Sequence, residues 1–154
     1  MKIGIIVYSQ TGNTYSVAEK LKDKFQAAGH SANVERLTTA GGETDPNKAK
    51  IEKLPDLSGY DALVFAGPVQ GFSLSRVMAG YMKQLPALGN KKVAVFVTKS
   101  LAFNFTGGNK AIGQLKAEVE AHGGKVGETG IIHWGNKVRE QEIANVVDRL
   151  SHAF

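Results

Sequence analysis

The stretch Tyr8-Ser9-Gln10-Thr11-Gly12-Asn13-Thr14 decides how this chain reads. Before it lies Lys2-Ile3-Gly4-Ile5-Ile6-Val7, apolar on both faces, as a central strand of a parallel sheet must be. After it, Val17, Leu21 and Phe25 recur at i, i+4 and i+8, a helical stripe that Gly29 stops, so the spacing predicts a helix over 13–28. The turn between strand and helix carries the hydroxyls of Ser9, Thr11 and Thr14, the amides of Gln10 and Asn13, and Gly12, with neither Lys nor Arg. A helix N-terminus presents unpaired N–H groups and the positive end of the helix dipole. Alcohols and amides gathered there can hold a phosphate dianion without a cationic side chain. Ser, Thr and Asn also serve as ordinary helix caps. Three hydroxyls around one glycine, directly after the first strand, point instead to phosphate.

Outward from this turn, strand and helix patterns alternate to the end of the chain. Strands are expected at Ala32–Leu37, Tyr60–Ala66, Lys92–Thr98 and Lys125–His133. The second strand is mixed in polarity and suits a sheet edge. Helices are expected at Ser75–Gln84, with Met78, Tyr81, Met82 and Leu85 on one face, and at Gly108–His122, with Ile112, Leu115 and Val119 inward. A last helix over Val138–His152 aligns Ile143, Val147, Leu150 and Phe154. Between 38 and 58 the signal fades; Gly41-Gly42 and Asp45-Pro46 mark turns, and a short helix over Asn47–Lys53 is expected. Five strands alternating with helices imply parallel strands joined by right-handed crossovers. The expected fold is therefore α/β, a three-layer doubly wound sandwich around a five-stranded parallel sheet in the order 2-1-3-4-5. One domain over 1–154 accounts for the whole pattern. Its ligand crevice belongs at the carboxyl ends of the strands, where the order reverses between strands 1 and 3.

Composition narrows the chemistry. With 154 residues, 42% of them hydrophobic, the chain can bury one ordinary core. It has no cysteine, which excludes disulfides, thiolate metal sites and cysteine nucleophiles. No His/Asp/Glu cluster has metal-ligand spacing, and no hydrolytic triad suggests itself. No apolar run reaches the roughly 18 residues of a membrane span, so no membrane insertion and a cytoplasmic location are expected. The net charge of +5 is scattered. Its densest cluster, Lys48, Lys50 and Lys53, is broken by Glu52, and no basic stripe with interleaved aromatics appears, so nucleic acid is not an expected partner.

Two further loops follow strands and can reach the same crevice. One is Gly67-Pro68-Val69-Gln70-Gly71-Phe72-Ser73; the other is Thr98-Lys99-Ser100-Leu101-Ala102-Phe103-Asn104-Phe105-Thr106-Gly107-Gly108. Pro68 and Gly71 are also ordinary turn residues, and Phe72, Phe103 and Phe105 can simply pack inward. Walker A and dinucleotide-fold glycine patterns are both absent, and no acid ends strand 1 or strand 3 as a phospho-accepting receiver would require.

The stretch Tyr8–Thr14 resembles the phosphate loop of the flavodoxin family, written Ser/Thr-x-Thr-Gly-x-Thr, and the expected topology is similar to that family over nearly the whole chain. The resemblance implies non-covalent FMN, with Ser9, Gln10, Thr11, Gly12, Asn13 and Thr14 around its phosphate. It implies a second flavin loop of Pro68, Val69, Gln70, Gly71 and Phe72, Phe72 being a candidate wall for the ring. It implies a third of Thr98, Lys99, Ser100, Phe103, Phe105, Gly107 and Gly108, where two aromatics could cover a flat ring and the glycines let backbone N–H groups approach its pyrimidine carbonyls. Many flavodoxins place a Tyr amid acids in this loop; this chain has Phe and no acid between Val93 and Lys116. The basic composition and Lys99 predict a second reduction potential less negative than in acidic flavodoxins.

The implied activity is electron transfer between redox partner proteins. The alternatives are an FMN-dependent NAD(P)H:quinone or flavin oxidoreductase, and a fold that has lost FMN and acts as a binding module. Monomer and dimer are both compatible with the sequence. Trp134 could reach the flavin rim, but a core or edge contact is the simpler expectation.

Overall fold

The structure is a computed structural model that describes residues 1–42, 45, 50–100 and 107–154. Among the described residues six strands and four α-helices follow in order: β1 (Lys2–Tyr8), α1 (Asn13–Ala27), β2 (Ser31–Leu37), β3 (Ala62–Gln70), β4 (Ser73–Leu74), α2 (Arg76–Lys83), β5 (Lys92–Lys99), α3 (Gly108–Ala121), β6 (Lys125–His133) and α4 (Arg139–Ser151). The long strands are parallel and run β2-β1-β3-β5-β6, which is the expected order once the two-residue β4 is set aside. Helices cover both faces. Ile6, Phe65, Val93, Val95 and Val97 meet α2 and α3 on one side. Ile5, Val7, Val64, Ala94 and Phe96 meet α1 and α4 on the other. Strand side chains alternate between faces, so the near-continuous apolar runs of β1, β3 and β5 feed both cores at once.

Two regions differ from the sequence expectation. β3 does not stop at Ala66 but continues through Pro68 to Gln70 and turns back as β4, pairing Val69 with Leu74 and Gln70 with Ser73. Proline is tolerated because β1, paired with β3 only as far as Ala66, leaves an open side there. On that side the Pro68 carbonyl accepts the Ser75 N–H at 2.9 Å, and the Ser75 carbonyl, which the donorless proline cannot serve, accepts the Ala79 N–H at 2.8 Å instead. What reads as a loop is thus a strand extension and a tight hairpin. In the second region, no helix forms over 50–53; Ile51 instead makes an isolated antiparallel bridge to Thr39. Residues 47–49 of that expected helix lie outside the described residues.

Candidate functional site

A cleft opens at the carboxyl ends of the strands. Gln10, Thr11 and Asn13 line it from the first loop, Pro68, Val69 and Gln70 from the end of β3, Thr98, Lys99 and Ser100 from the end of β5, and Trp134 from just past β6. The topology places it where β1 and β3 send their connections to opposite faces, so no helix covers that end.

The first loop is held by its own backbone. Gly12 takes φ 96°, and its N–H donates to Ser9 Oγ at 3.0 Å. No side chain caps α1, which leaves the first-turn N–H groups of the helix facing the loop. A β-carbon on Gly12 would meet nothing within 4 Å, so the space beside it is open. Thr14 is buried and its hydroxyl shares a 2.8 Å hydrogen bond with that of Thr98, tying the first turn of α1 to β5. Arg36 donates to the Ser9 carbonyl at 3.0 Å and lies 4.7 Å over the Tyr15 ring, bracing the loop from β2. Register explains its reach: Arg36 pairs with Val7, two residues before Ser9.

The second segment is a two-residue hairpin turn. Gly71 and Phe72 both take positive φ, 61° and 68°, the pattern of a type I′ turn. Phe72 is 62% exposed and does not line the cleft described above. Gln70 reaches across instead: its amide donates to Gln10 Oε1 at 2.7 Å, linking the hairpin to the first loop. The Leu74 N–H donates to Gln114 Oε1 at 2.8 Å, which fastens β4 to α3.

In the third segment Thr98 and Lys99 are both buried. Lys99 is the one charged residue among the described residues lining the cleft, and burial lowers its pKa from the ordinary 10.5. Its carbonyl accepts the Trp134 N–H at 2.7 Å, and the Ser100 carbonyl accepts the Gly135 N–H at 3.0 Å, so β6 and β5 stay joined past the sheet. Gly107 and Gly108 open α3, where Gly107 takes φ 103°. Phe103 and Phe105 lie outside the described residues.

The structure therefore brings residues of all three expected segments to one cleft, though not Gly71, Phe72, Gly107 or Gly108, and adds Trp134 to its lining and Arg36 to the bracing of its first loop. Arg36 sits mid-strand with no motif around it, and only the β1–β2 register reveals its role. Trp134, expected first as a core or edge contact, packs beside the core of α1 and α4 and also lines the cleft. Arg139 lies 4.8 Å over its ring and is bonded at 3.0 Å to its carbonyl. The signal available was its place at the end of the fifth long strand, beside a glycine.

Comparison with known proteins agrees with the fold. The profile of the family described as Flavodoxin matches residues 5–144. No curated protein sequence matches the chain. Among solved structures, oxidised Flavodoxin 2 from Bacillus cereus is 18% identical with a TM-score of 0.67, and the alignment covers 100% of both chains. The flavodoxin of Streptococcus pneumoniae TIGR4 is 17% identical with a TM-score of 0.68 over 98% of each chain. A point mutant of the flavodoxin from Pseudomonas aeruginosa is 15% identical with a TM-score of 0.68, covering 99% of this chain and 98% of that one.

Proposed function

Because the chain belongs to the flavodoxin family, we propose that it binds one FMN in the cleft at the carboxyl ends of the strands and passes electrons between redox partner proteins. The observation that carries this reading is the uncapped N-terminus of α1, set behind Ser9, Thr11, Gly12, Asn13 and Thr14. A doubly charged phosphate satisfies those N–H groups and gains from the helix dipole. FMN supplies the one- and two-electron chemistry; the protein supplies binding, orientation and electrostatics.

The residues divide that work by position. Ser9 fixes Gly12 through its hydroxyl, which holds the loop open toward the ligand. The Thr14–Thr98 pair fixes the first turn of α1 against β5, so the phosphate site and the ring site move as one body. Gln10 and Gln70 span the cleft and offer amide donors and acceptors to a polar chain between phosphate and ring. Pro68, Val69 and Trp134 contribute apolar surface that excludes water from a ring. Ser100, Phe103, Phe105, Gly107 and Gly108 complete the proposed contacts from the third segment, and Phe72, exposed at the hairpin tip, could reach a ring only from outside the cleft lining.

Titration of the purified protein with FMN tests the reading. One equivalent of FMN should be quenched in fluorescence, and riboflavin should bind more weakly for want of the phosphate. Reduced holoprotein should then hand electrons to an oxidised acceptor protein. Failure to quench FMN at high excess of protein overturns the proposal.

A further inference from the structure

We propose that Trp134 walls the phosphate end of the FMN site, and that Arg139 and Glu142, which do not line the cleft, are the positioning residues that hold it there. The inference rests on the FMN reading above. It moves Trp134 from general apolar cover to one end of the ligand and gives the start of α4 a part in binding.

Topology sets Trp134 beside the entry to α1. Along β5, Val93, Val95 and Val97 face α2 and α3, whereas Ala94 and Phe96 face α1 and α4. Lys99 continues the first series and runs past the start of α3, where a β-carbon on Gly108 would stand 3.3 Å from Lys99 Cδ. Thr98 continues the second, and its 2.8 Å hydrogen bond with Thr14 brings the first turn of α1 over the end of β5. β6 is the next strand, with His133 paired to Lys99. Alternation puts Ile132 and Trp134 on one side, Ile132 within the core of α1 and α4 and Trp134 packed against it. Half-buried Trp134 therefore meets the cleft on the side of the α1 N-terminus, one strand away from the Thr14–Thr98 bond.

An indole suits that place. It carries a donor and no acceptor, so nothing on it repels a phosphate oxygen. Its plane keeps water from the N–H groups of α1, and hydrogen bonds to a dianion strengthen where water is excluded. The loop over 9–14 brings no Lys or Arg, so those bonds and the helix dipole carry the affinity.

The segment 133–135 is held from two sides. Toward β5, the Trp134 N–H donates to the Lys99 carbonyl at 2.7 Å and the Gly135 N–H to the Ser100 carbonyl at 3.0 Å. The approach is close enough that a β-carbon on Gly135 would lie 2.6 Å from the Ser100 oxygen. Toward α4, one oxygen of Glu142 accepts the His133 N–H and the other shares a 2.9 Å hydrogen bond with His133 Nδ1. Arg139 donates to the Trp134 carbonyl at 3.0 Å and lies 4.8 Å over the indole. Arg139 and Glu142 are three residues apart on one helix, so they share a face and grip consecutive residues. The backbone N–H and carbonyl of Trp134 are thus both engaged, and its ring is stacked. A side chain ordered in advance gives up little freedom when a ligand arrives.

Trp134 is the one tryptophan of the chain, so its indole N–H gives a single resonance in a 15N spectrum. That resonance should move when FMN is added to the apoprotein and when inorganic phosphate is added alone, and far less with riboflavin. Trp134→Ala should weaken FMN about tenfold and riboflavin little. Arg139→Met and Glu142→Ala should each weaken FMN about threefold, with a fall in the fluorescence anisotropy of Trp134 in the apoprotein. Glu142→Gln keeps an oxygen for the His133 N–H and should restore most of both. An indole resonance indifferent to FMN and to phosphate overturns the proposal, and this reading of the wild type decides if Trp134→Ala does not fold. Equal losses of FMN and riboflavin affinity in Trp134→Ala also overturn it, by assigning the indole to the ring. Unchanged anisotropy in Arg139→Met and Glu142→Ala overturns the positioning role. A wild type that binds no FMN, yet whose indole resonance moves with phosphate, overturns the cofactor reading and supports the phosphate wall.

Discussion

Gly107 packs directly on the backbone of Phe72: a β-carbon at position 107 would lie 2.4 Å from both the carbonyl carbon and the carbonyl oxygen of Phe72. The entry to α3 and the tip of the β3–β4 hairpin thus meet with no side chain between them. With the Leu74–Gln114 bond, this contact fixes the hairpin to α3 rather than leaving it to hang from β3.

Gly107→Ala should therefore be strongly destabilising. The methyl group collides with backbone, which cannot rotate away, and φ 103° is strained for any L residue. A loss of about 2–4 kcal/mol is expected from the two effects together. Urea denaturation of the apoprotein measures it; a loss below a few tenths of a kcal/mol contradicts the contact.

Phe72→Gly should act in the opposite sense. Phe72 holds φ 68° in the turn and is 62% exposed, so its side chain contributes little burial. Relief of a left-handed aromatic residue gives about 1–2 kcal/mol, offset by the added chain entropy of glycine of about 0.5–1 kcal/mol. A small net rise in Tm is the expected result by thermal denaturation, and a marked fall would show that the ring is packed.

Gly12→Ala should separate binding from folding. Open space surrounds the position, but φ 96° does not suit alanine. The loop should relax at a cost of about 1 kcal/mol, and FMN affinity should fall about tenfold as the N–H groups leave their alignment. Fluorescence quenching against FMN and riboflavin reads this, the fall being confined to FMN.

Thr14→Val and Thr98→Val should not be additive. Each removes one end of a buried 2.8 Å hydrogen bond and strands the other hydroxyl. Each single variant should lose about 1–2 kcal/mol, and the double variant clearly less than the sum, with a coupling of about 1 kcal/mol in a double-mutant cycle.

Stability should fall at alkaline pH through Tyr81. Burial raises its pKa well above the ordinary 10, with a smaller push from the Glu35 carboxylate. Above the unfolded-state pKa of 10 the unfolded chain sheds the phenolic proton while the folded chain keeps it. The contribution is therefore complete below pH 10 and is lost above it, at up to about 1.4 kcal/mol per pH unit. Tyr81→Phe should flatten that limb in urea melts taken as a function of pH.

The sequence reading recovers the sheet order because the apolar runs of β1, β3 and β5 are long and the helical stripes regular. It also finds the first loop, since a strand, a polar turn with Gly12 and a helix stripe are contiguous. It ends β3 too early, since Gly67-Pro68 reads as a turn; only the third dimension shows that β1 has stopped and that the Ser75 carbonyl beside proline is satisfied by the Ala79 N–H. Arg36 and Trp134 join the site through strand register and chain reversal, which a linear pattern does not encode. The odd–even placement of Thr98 and Lys99 was present in the sequence, but its meaning waited on knowing which helix covers which face.

That placement has an evolutionary and engineering consequence. Two adjacent codons determine which side of β5 carries an alcohol, bonded to Thr14, and which carries a cation, beside Gly108, and the backbone zigzag does the sorting. Deleting one residue upstream within β5 would exchange their destinations while leaving the composition of the crevice unchanged. A homologue aligned one position out of step here would present the same chemical groups with inverted polarity.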